Sequence, residues 1–368
     1  MAKRKLLKFI LLYPLSVIYG WGVAIRNFMF DRGMLKQREF DIPLVVVGNL
    51  TMGGAGKTPH AEYIIDHLRH DYRIGLLSRG YKRRTHGFIM AGRNSRPDDI
   101  GDEPYQMYRK FGNEGVMVAV CENRAKGIEM MREIDPRLQL IVLDDAFQHR
   151  YVKPTVSVVL TEFSHPVYED ALLPYGRLRE PVKALDRADI VIVTKCPDDV
   201  KPVQFRIVNK HLDLFPYQKL LFSRYVYLPP RPLFPEQTGE CNVPVLSQLG
   251  PTDSILVVIG VANPLPFLKH VRSFRAKVKI MTFDDHHNFT HADMDAIYQK
   301  FRTLKNTSKF MLTTEKDAVR MANNPYFPPQ MRPHSFYLPI TVDFDNSGNP
   351  PLESIIKQLI RTQGSLKA

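Results

Sequence analysis

The chain has 368 residues, of which 44% are hydrophobic and 24% charged, and a formal net charge of +13. That length suits two domains, and the apolar content excludes global disorder. The charge indicates an anionic partner such as a nucleic acid, an anionic membrane or a phosphorylated substrate. The sequence lacks zinc-finger spacing, an RNA-recognition aromatic motif and any C-x-x-C pair among its three cysteines, which disfavours nucleic acid, zinc and disulfide frameworks.

The N-terminal residues combine a basic start with an apolar stretch. Lys3, Arg4 and Lys5 precede an uncharged segment at residues 9–25. This segment is shorter than the roughly 20 residues of a usual bilayer span. A cleaved signal peptide, a spanning anchor and a core helix are alternatives. We favour an amphipathic helix that lies in the membrane interface with its basic flanks on anionic headgroups.

Apolar β-rich runs alternate with helical patterns through the following part of the chain. The runs that predict strands are 44–47, 74–77, 115–120, 138–143, 155–160 and 190–193. Continuous runs of this kind, separated by helices, predict a doubly wound, mostly parallel sheet that is covered on both faces. Ligands of such α/β folds bind at the carboxyl ends of the strands.

The pattern changes after residue 221. Residues 222–228 read as a strand before a proline-rich stretch, and further strands are predicted at 255–259, 278–283, 310–313 and 335–342. We expect 222–228 to pair with 335–342 as a two-stranded connector around a second, smaller α/β domain. A terminal helix at 355–361 would return to the first domain.

The predicted organisation therefore has four parts. These are an N-terminal membrane-docking segment (1–34), a P-loop NTPase-like core (35–221), the smaller domain with its flanking strands (222–345) and a terminal segment (346–368).

A glycine-rich turn follows the first predicted strand and leads into a helical pattern. Its residues are Thr51, Met52, Gly53, Gly54, Ala55, Gly56, Lys57 and Thr58. Glycines let backbone N–H groups converge on an anion, and a helix N-terminus favours negative charge. The turn predicts a nucleoside-triphosphate site in which Lys57 reaches the β- and γ-phosphates and Thr58 holds Mg²⁺. Thr51 occupies the position of the usual first glycine, and a simple turn between strand and helix is the alternative.

Several acidic residues follow predicted elements. Asp144 and Asp145 end the fourth strand run, where a P-loop protein carries the carboxylate that meets Mg²⁺, although acids there can also cap a helix. Asp102 is well placed as the N-cap of a helix at 105–111, and it could also be a general base for a substrate hydroxyl. Glu180 is either a further metal-facing acid or an ordinary loop charge.

A second cluster, at residues 284–291, contains three histidines and two acids. A capped surface turn, a metal site and a histidine–carboxylate pair for proton transfer all remain open there. Four arginines at strand–helix junctions or in loops could bind phosphates through bidentate hydrogen bonds or could be solvated: Arg79, Arg124, Arg177 and Arg179.

Taken together, these motifs resemble the tetraacyldisaccharide 4′-kinase family, the lipid A kinases of Gram-negative bacteria. The resemblance is carried, in family order, by residues 48–59 (GNLTMGGAGKTP), 78–81 (SRGY), 101–104 (GDEP), 143–149 (LDDAFQH), 172–181 (LLPYGRLREP), 285–287 (DHH) and 314–319 (TEKDAV). It implies transfer of the γ-phosphoryl group of ATP to the 4′-hydroxyl of a tetraacylated glucosamine disaccharide 1-phosphate.

The resemblance also implies roles for single residues. Asp102 would accept the hydroxyl proton with His286 as its dyad partner, or His287 as the fallback, and Lys57 would neutralise the transferring phosphate. Mg²⁺ would be held by Thr58, Asp144, Asp145 and Glu180. Contacts to substrate or phosphate are expected from Asn49, Arg79, Arg124, Gln148, His149, Arg177 and Arg179.

The expected partners are the acylated disaccharide 1-phosphate and an anionic membrane surface, with no nucleic acid and a monomeric chain. The expected location is the cytoplasmic face of the inner membrane, with the protein peripheral or anchored by its N-terminus. A P-loop nucleotide switch or membrane ATPase is the alternative function. A metal-dependent phosphoesterase built on residues 285–287 is less favoured, because it leaves the P-loop unexplained.

Overall fold

The computed structural model describes residues 2–237, 243–285, 287–304, 308–344 and 350–365, with side chains described from residue 9 to residue 363. Its helices are α1 (Ala2–Asp31), α2 (Lys57–Leu68), α3 (Pro97–Ile100), α4 (Asp102–Phe111), α5 (Arg124–Ile134), α6 (Pro202–Leu212), α7 (Leu265–Arg272), α8 (His291–Arg302), α9 (Glu315–Ala322) and α10 (Leu352–Ser365). Its strands are β1 (Leu44–Asn49), β2 (Ile74–Ser78), β3 (Ile89–Met90), β4 (Met117–Val120), β5 (Leu140–Asp144), β6 (Val156–Glu162), β7 (Ile190–Thr194), β8 (Lys219–Tyr227), β9 (Arg231–Pro232), β10 (Asp253–Ile259), β11 (Lys277–Thr282), β12 (Ser308–Thr314), β13 (Ser335–Leu338) and β14 (Ile340–Phe344). The chain forms two compact units, residues 1–225 with 342–368, and residues 226–341.

The first unit is built on a nine-stranded sheet in the order β14-β8-β7-β6-β1-β5-β2-β4-β3. Strands β1, β2 and β4 to β8 pair in parallel, and β3 is antiparallel to β4. Every residue of β1, β2, β5 and β7 is buried, as the continuous apolar runs predict for a sheet covered on both faces. The predicted doubly wound α/β core is confirmed.

The central strands place polar residues at one edge of this sheet. Val47 of β1 lies in register with Asp144 of β5, so β1 ends at Asn49 beside the end of β5. On its other side β5 pairs with β2, which ends at Ser78. The loop that opens α2 starts from the same edge, where α/β folds bind their ligands.

The apolar N-terminal segment forms part of the long helix α1, which contains Pro14. Residues Phe9–Asp31 are long and apolar enough to cross a membrane, and among the described residues this is the single such helix. Only 6% of an apolar 18-residue stretch of this helix is buried. Ile18, Trp21 and Ile25 are each more than 60% exposed. Exposed apolar surface of this extent is consistent with membrane association.

The second unit has a five-stranded sheet in the order β11-β10-β12-β13-β9, parallel except for the pairing of β9 with β13. Thr290 caps α8, and the Thr314 hydroxyl caps α9 by accepting a 3.1 Å hydrogen bond from the amide of Asp317. The capped turn, one of the three alternatives for residues 284–291, is therefore present at Thr290.

The predicted single strand at 335–342 was wrong. Pro339 interrupts it, because proline fixes φ and has no N–H to donate to a ladder. The first half becomes β13 and pairs with β12 in the second unit, whereas the second half becomes β14 and lies beside β8 in the first unit. The predicted connector therefore reduces to β8 and β14.

Candidate functional site

The turn after β1 requires glycine at two points. Gly53 and Gly56 have φ angles of 104° and 89°, in the left-handed region that other residues rarely adopt. A Cβ on Gly56 would also clash with the Tyr225 hydroxyl oxygen. Helix α2 begins at the next residue, Lys57, so the N–H groups of its first turn have no partner within the helix. The turn therefore presents an anion-binding helix N-terminus.

Thr51 has a structural reason to replace the usual glycine. It is buried and forms an isolated antiparallel bridge with Leu178. Its carbonyl oxygen and its hydroxyl accept hydrogen bonds from the side-chain amide nitrogen of Asn49, at 2.8 and 3.1 Å respectively. A β-branched residue suits this extended conformation, whereas glycine would weaken it.

Two cationic side chains meet at Asp145. The Lys57 Nζ lies 3.7 Å from one carboxylate oxygen, and Arg179 Nη2 donates a 2.9 Å hydrogen bond to the other. Lys57 also donates to the side-chain oxygen of Asn49 at 3.1 Å. Asp145 has a φ of 46°, an uncommon value for a residue other than glycine, and such values cluster at functional sites. Burial alone would raise the pKa of Asp145, but Lys57 and Arg179 outweigh it and lower that pKa.

Asp144 differs sharply from its neighbour. It is buried, and its Oδ2 atom accepts a 3.3 Å hydrogen bond from the Ser78 hydroxyl, whereas Oδ1 has no hydrogen-bond partner among the described residues. Burial raises its pKa to about 7, and the carboxylates of Glu103 and Asp145 add to this rise, while Lys57 and Arg124 oppose it. A buried, unpartnered carboxylate oxygen beside further acids is a suitable ligand for a hard cation.

The predicted phosphate-binding arginines occupy different places. Arg124 is 2% exposed and donates to the backbone carbonyls of Cys121 (2.6 Å) and Asp144 (3.2 Å), so it holds the end of β5. Arg79 follows β2 and is exposed. The Arg177 side chain pairs with Asp170 at 2.8 Å.

Gln148 and His149 also lie at the end of β5. The Gln148 side chain donates a 2.9 Å hydrogen bond to the backbone carbonyl of Asn49. Burial, together with the charges of Arg124, Arg26 and Arg79, lowers the pKa of His149 to about 4. The imidazole is therefore neutral at pH 7, and its Nε2 atom has no hydrogen-bond partner among the described residues.

Glu180 lies beside two arginines. It is 1% exposed, pairs with Arg187, and lies 3.9 Å from Arg26 Nη1. Within the described part of the chain, no group of three or more His, Cys, Asp or Glu side chains is arranged to hold a metal. The Oε2 atom of Glu180 accepts a hydrogen bond from Arg187, whereas its Oε1 atom has no hydrogen-bond partner among the described residues, so a role as metal ligand stays a prediction.

The prediction that Asp102 is an N-cap was wrong. Gly101, with a φ of 93°, occupies the N-cap position of α4, and Asp102 is the first helical residue. A Cβ on Gly101 would lie 3.0 Å from the carbonyl oxygen of Tyr81, so the SRGY and GDEP motifs are in close contact. Asp102 therefore carries its charge at a helix N-terminus, where the helix dipole favours it.

The two histidines named for the dyad lie in the second unit. His286 is outside the described residues. The Nε2 atom of His287 lies 3.0 Å from Asp293. Hydrogen bonds from Thr290, with a smaller contribution from His287, lower the pKa of Asp293 to about 2. The pairing of either histidine with Asp102 stays a prediction.

Sequence reasoning missed Ser78 and Glu103 as neighbours of Asp144. Both lie inside motifs that carry the resemblance, but neither has a local signal for a role. Their proximity depends on the order β1-β5-β2, which no pattern in one strand specifies.

Comparison with known proteins finds similarity over almost the whole chain. The family model for tetraacyldisaccharide-1-P 4′-kinase (LpxK) matches residues 8–361. The chain is 46% identical over 337 residues to a tetraacyldisaccharide 4′-kinase of Bacteroides thetaiotaomicron, covering 90% of this chain and 88% of the relative. It is 42% identical over 352 residues to that of Phocaeicola vulgatus, covering 95% and 94%. A crystal structure of the "apo" form of LpxK from Aquifex aeolicus in complex with ATP superimposes with a TM-score of 0.73 at 26% identity, covering 96% of this chain and 99% of that one.

Proposed function

Since this chain belongs to the tetraacyldisaccharide 4′-kinase family, we propose that it transfers the γ-phosphoryl group of ATP to the 4′-hydroxyl of a tetraacylated glucosamine disaccharide 1-phosphate. The product is the bisphosphorylated lipid A precursor, lipid IVA. The observation that carries this proposal is the convergence of Lys57 and Arg179 on Asp145 beside the N-terminus of α2. Phosphoryl transfer depends chiefly on such positioning and charge neutralisation.

We expect Lys57 and Arg179, the two cations that contact Asp145, to bind phosphate oxygens. The triphosphate of ATP carries more negative charge than Asp145, so we expect it to take over contacts from Lys57 and Arg179 when it binds. The first-turn amides of α2 supply further donors along the same direction. As charge develops between the γ-phosphorus and the leaving oxygen of ADP, these donors stabilise it.

The residues present fit a bound Mg²⁺ ion. The unpartnered Oδ1 of Asp144 is buried and faces surplus negative charge, and the Asp145 carboxylate and Thr58 hydroxyl are suitable oxygen donors. We propose these three residues as its ligands and leave out Glu180, which pairs with arginines. When bound, Mg²⁺ would neutralise negative charge on the transferring phosphates.

Asp102 is the proposed general base. It accepts the proton of the 4′-hydroxyl while that oxygen bonds to the γ-phosphorus and the bond to the β-phosphate oxygen breaks, releasing ADP. Two observations at the start of α4 support this proposal: Gly101 lies close to Tyr81 of the SRGY motif, and Glu103 raises the pKa of Asp144. The part of His286 in tuning this base rests on the family resemblance.

Asp102→Asn is expected to leave ATP binding unchanged and to lower turnover by at least about tenfold to a hundredfold, because the amide cannot accept the proton. Initial rates and nucleotide affinity measure the two effects separately. Asp98→Asn is a matched control, since Asp98 lies on the neighbouring helix α3 with a 65% exposed side chain. Unchanged turnover in Asp102→Asn removes this residue from the role of base.

The decisive test of the function uses purified protein with γ-labelled ATP, Mg²⁺ and tetraacyldisaccharide 1-phosphate in detergent micelles. We expect label in a bisphosphorylated glycolipid. Tight ATP binding without labelled lipid would instead favour the nucleotide-switch alternative.

The acyl chains keep this substrate in a bilayer, and we propose that α1 docks the protein on the cytoplasmic face of the inner membrane. Replacing Ile18 with Asn and Trp21 with Gln, both on its exposed surface, should weaken binding to anionic vesicles by about tenfold or more, since each buried apolar side chain contributes about 1.5–3 kcal/mol. Vesicle co-sedimentation measures this. The paired control changes Val203 and Ile207, apolar residues exposed on α6. Equal binding by both double variants contradicts docking through α1.

A further inference from the structure

Residues 170–181, here called the bracing segment, support the glycine-rich turn from one side. The amide of Met52 donates to the carbonyl oxygen of Arg177 at 2.7 Å, and the amide of Arg179 donates to that of Leu50 at 2.7 Å. Together with the Thr51–Leu178 bridge, these bonds join the bracing segment to the start of the turn like a short added strand. The position of the turn therefore depends on the position of this segment.

Helix α1 also contacts the bracing segment. The Ser16 hydroxyl donates to the carbonyl oxygen of Leu172 and accepts from the amide of Tyr175, both at 2.9 Å. The Tyr19 hydroxyl donates to the carbonyl oxygen of Arg179, also at 2.9 Å. A Cβ on Gly20 would lie 2.8 Å from Leu172 Cδ1, so α1 approaches the segment closely at this point.

About two turns further along α1, Arg26 makes a second link to the phosphate site. Its Nη2 atom donates a 2.7 Å hydrogen bond to the carbonyl oxygen of Gln148, whose side chain donates to the carbonyl oxygen of Asn49. Its Nη1 atom lies 3.9 Å from the buried carboxylate of Glu180. Tyr19 thus bonds to the backbone of Arg179, and Arg26 bonds to the backbone of Gln148. The side chains of Arg179 and Gln148 both contact Asn49.

We propose that Tyr19 and Arg26 are positioning residues of the kinase reaction, which fix the backbone of Arg179 and Gln148 so that their side chains meet Asp145 and Asn49. The proposal rests on the proposed function, because it takes the Lys57–Asp145–Arg179 group as the phosphate site. It goes beyond membrane docking, since it gives the inner face of α1 a part in nucleotide handling.

Charge and burial favour this role for Tyr19. Burial and the Glu180 carboxylate raise the pKa of its hydroxyl, although Arg179 and Arg26 oppose the rise. The hydroxyl therefore stays protonated and able to donate over the working pH range.

A small displacement of Arg179 matters because phosphoryl transfer is sensitive to misplacement on the order of 1 Å.

The test compares full-length Tyr19→Phe with Tyr13→Phe. Tyr13 is also on α1, and its ring stacks on Phe9 and meets Tyr175 edge-on, whereas its hydroxyl has no hydrogen bond to the described residues. Both variants keep their rings, so packing and membrane contact are preserved. We expect Tyr19→Phe to raise the KM for ATP or to lower kcat by about threefold to tenfold, and Tyr13→Phe to match the wild type.

Three further measurements separate positioning from a merely structural role. The KM for the lipid, the vesicle-bound fraction and the melting temperature should stay at wild-type values in Tyr19→Phe. Arg26→Gln should reproduce the defect in KM for ATP or in kcat, and Arg26→Lys should show a smaller defect because it keeps a positive charge near Glu180.

The inference is overturned if Tyr19→Phe and Tyr13→Phe have the same KM for ATP and the same kcat. It is also overturned if the defect of Tyr19→Phe is confined to vesicle binding or melting temperature. Failure of the proposed function looks different, because the wild type would then transfer no label to the lipid. The affinity of each variant for ATP could still be compared in that case.

Discussion

Lys57→Ala is expected to lower kcat for phosphoryl transfer by about 10²- to 10³-fold, the range measured when one preorganised donor to developing charge is removed. The reason lies in the place of its ammonium group, which is 3.1 Å from the Asn49 side-chain oxygen and 3.7 Å from Asp145. Removing it leaves Arg179 as the remaining cation in contact with Asp145 among the described side chains. Neutralisation of the γ-phosphate would be correspondingly weaker.

Initial rates with labelled ATP and the lipid acceptor measure this loss. Lys153→Ala is the matched control, because Lys153 is a 57% exposed lysine that pairs with Glu39 at 2.7 Å outside the site. Lys57→Arg should recover only part of the rate, since a planar guanidinium does not replace a compact ammonium group. Wild-type turnover in Lys57→Ala would show that the glycine-rich turn is not the catalytic phosphate site.

Asp144→Asn should produce a loss of similar size, about 10²- to 10³-fold, because a bound metal contributes several kcal/mol of charge stabilisation. Asparagine keeps the shape of the side chain and an oxygen for the Ser78 hydroxyl, but it removes the charge that binds the cation. We also expect the variant to need more Mg²⁺ for half-maximal rate. Rates over a range of Mg²⁺ concentrations test both expectations.

The melting temperature serves as the control for misfolding in Asp144→Asn. Burial and the nearby Glu103 and Asp145 disfavour the charged form of Asp144, so a neutral amide should leave metal-free protein at least as stable as the wild type. A variant that is stable but inactive supports the role of a metal ligand. A variant that is stable and fully active excludes it.

Local patterns were sufficient for the sheet and for the glycine-rich turn. The runs that become β1, β2 and β5 are mostly apolar, so burial on both faces could be predicted without any knowledge of their neighbours. The glycine-rich turn could also be predicted, because glycine, lysine and threonine at these spacings are typical of a phosphate-binding loop. The same reasoning could not reveal the two-residue strand β3, which has no periodicity of its own.

What failed depends on backbone conformation or on distant partners. The N-cap position of α4 belongs to Gly101 because of its positive φ, a property that a sequence offering both glycine and aspartate does not specify. The pairing of Glu180 with Arg187 and Arg26 was not predicted, since Arg26 lies far from it along the chain, and its role as metal ligand stays a prediction. The bracing segment was recognised by its motif, but its hydrogen bonds to Leu50 and Met52 required the tertiary structure.

The break at Pro339 has a consequence for synthesis of the protein. The chain leaves the first unit after residue 225 and re-enters it at 342, so β14 and α10, which complete that unit, are translated after the entire second unit. Helix α10 binds α2 through Glu353 with Tyr63 at 3.2 Å, and Lys357 pairs with Asp71 at 2.6 Å. On the ribosome, the second unit can therefore fold while the first still has β8 as an unpaired edge, exposed to aggregation or to capture by chaperones.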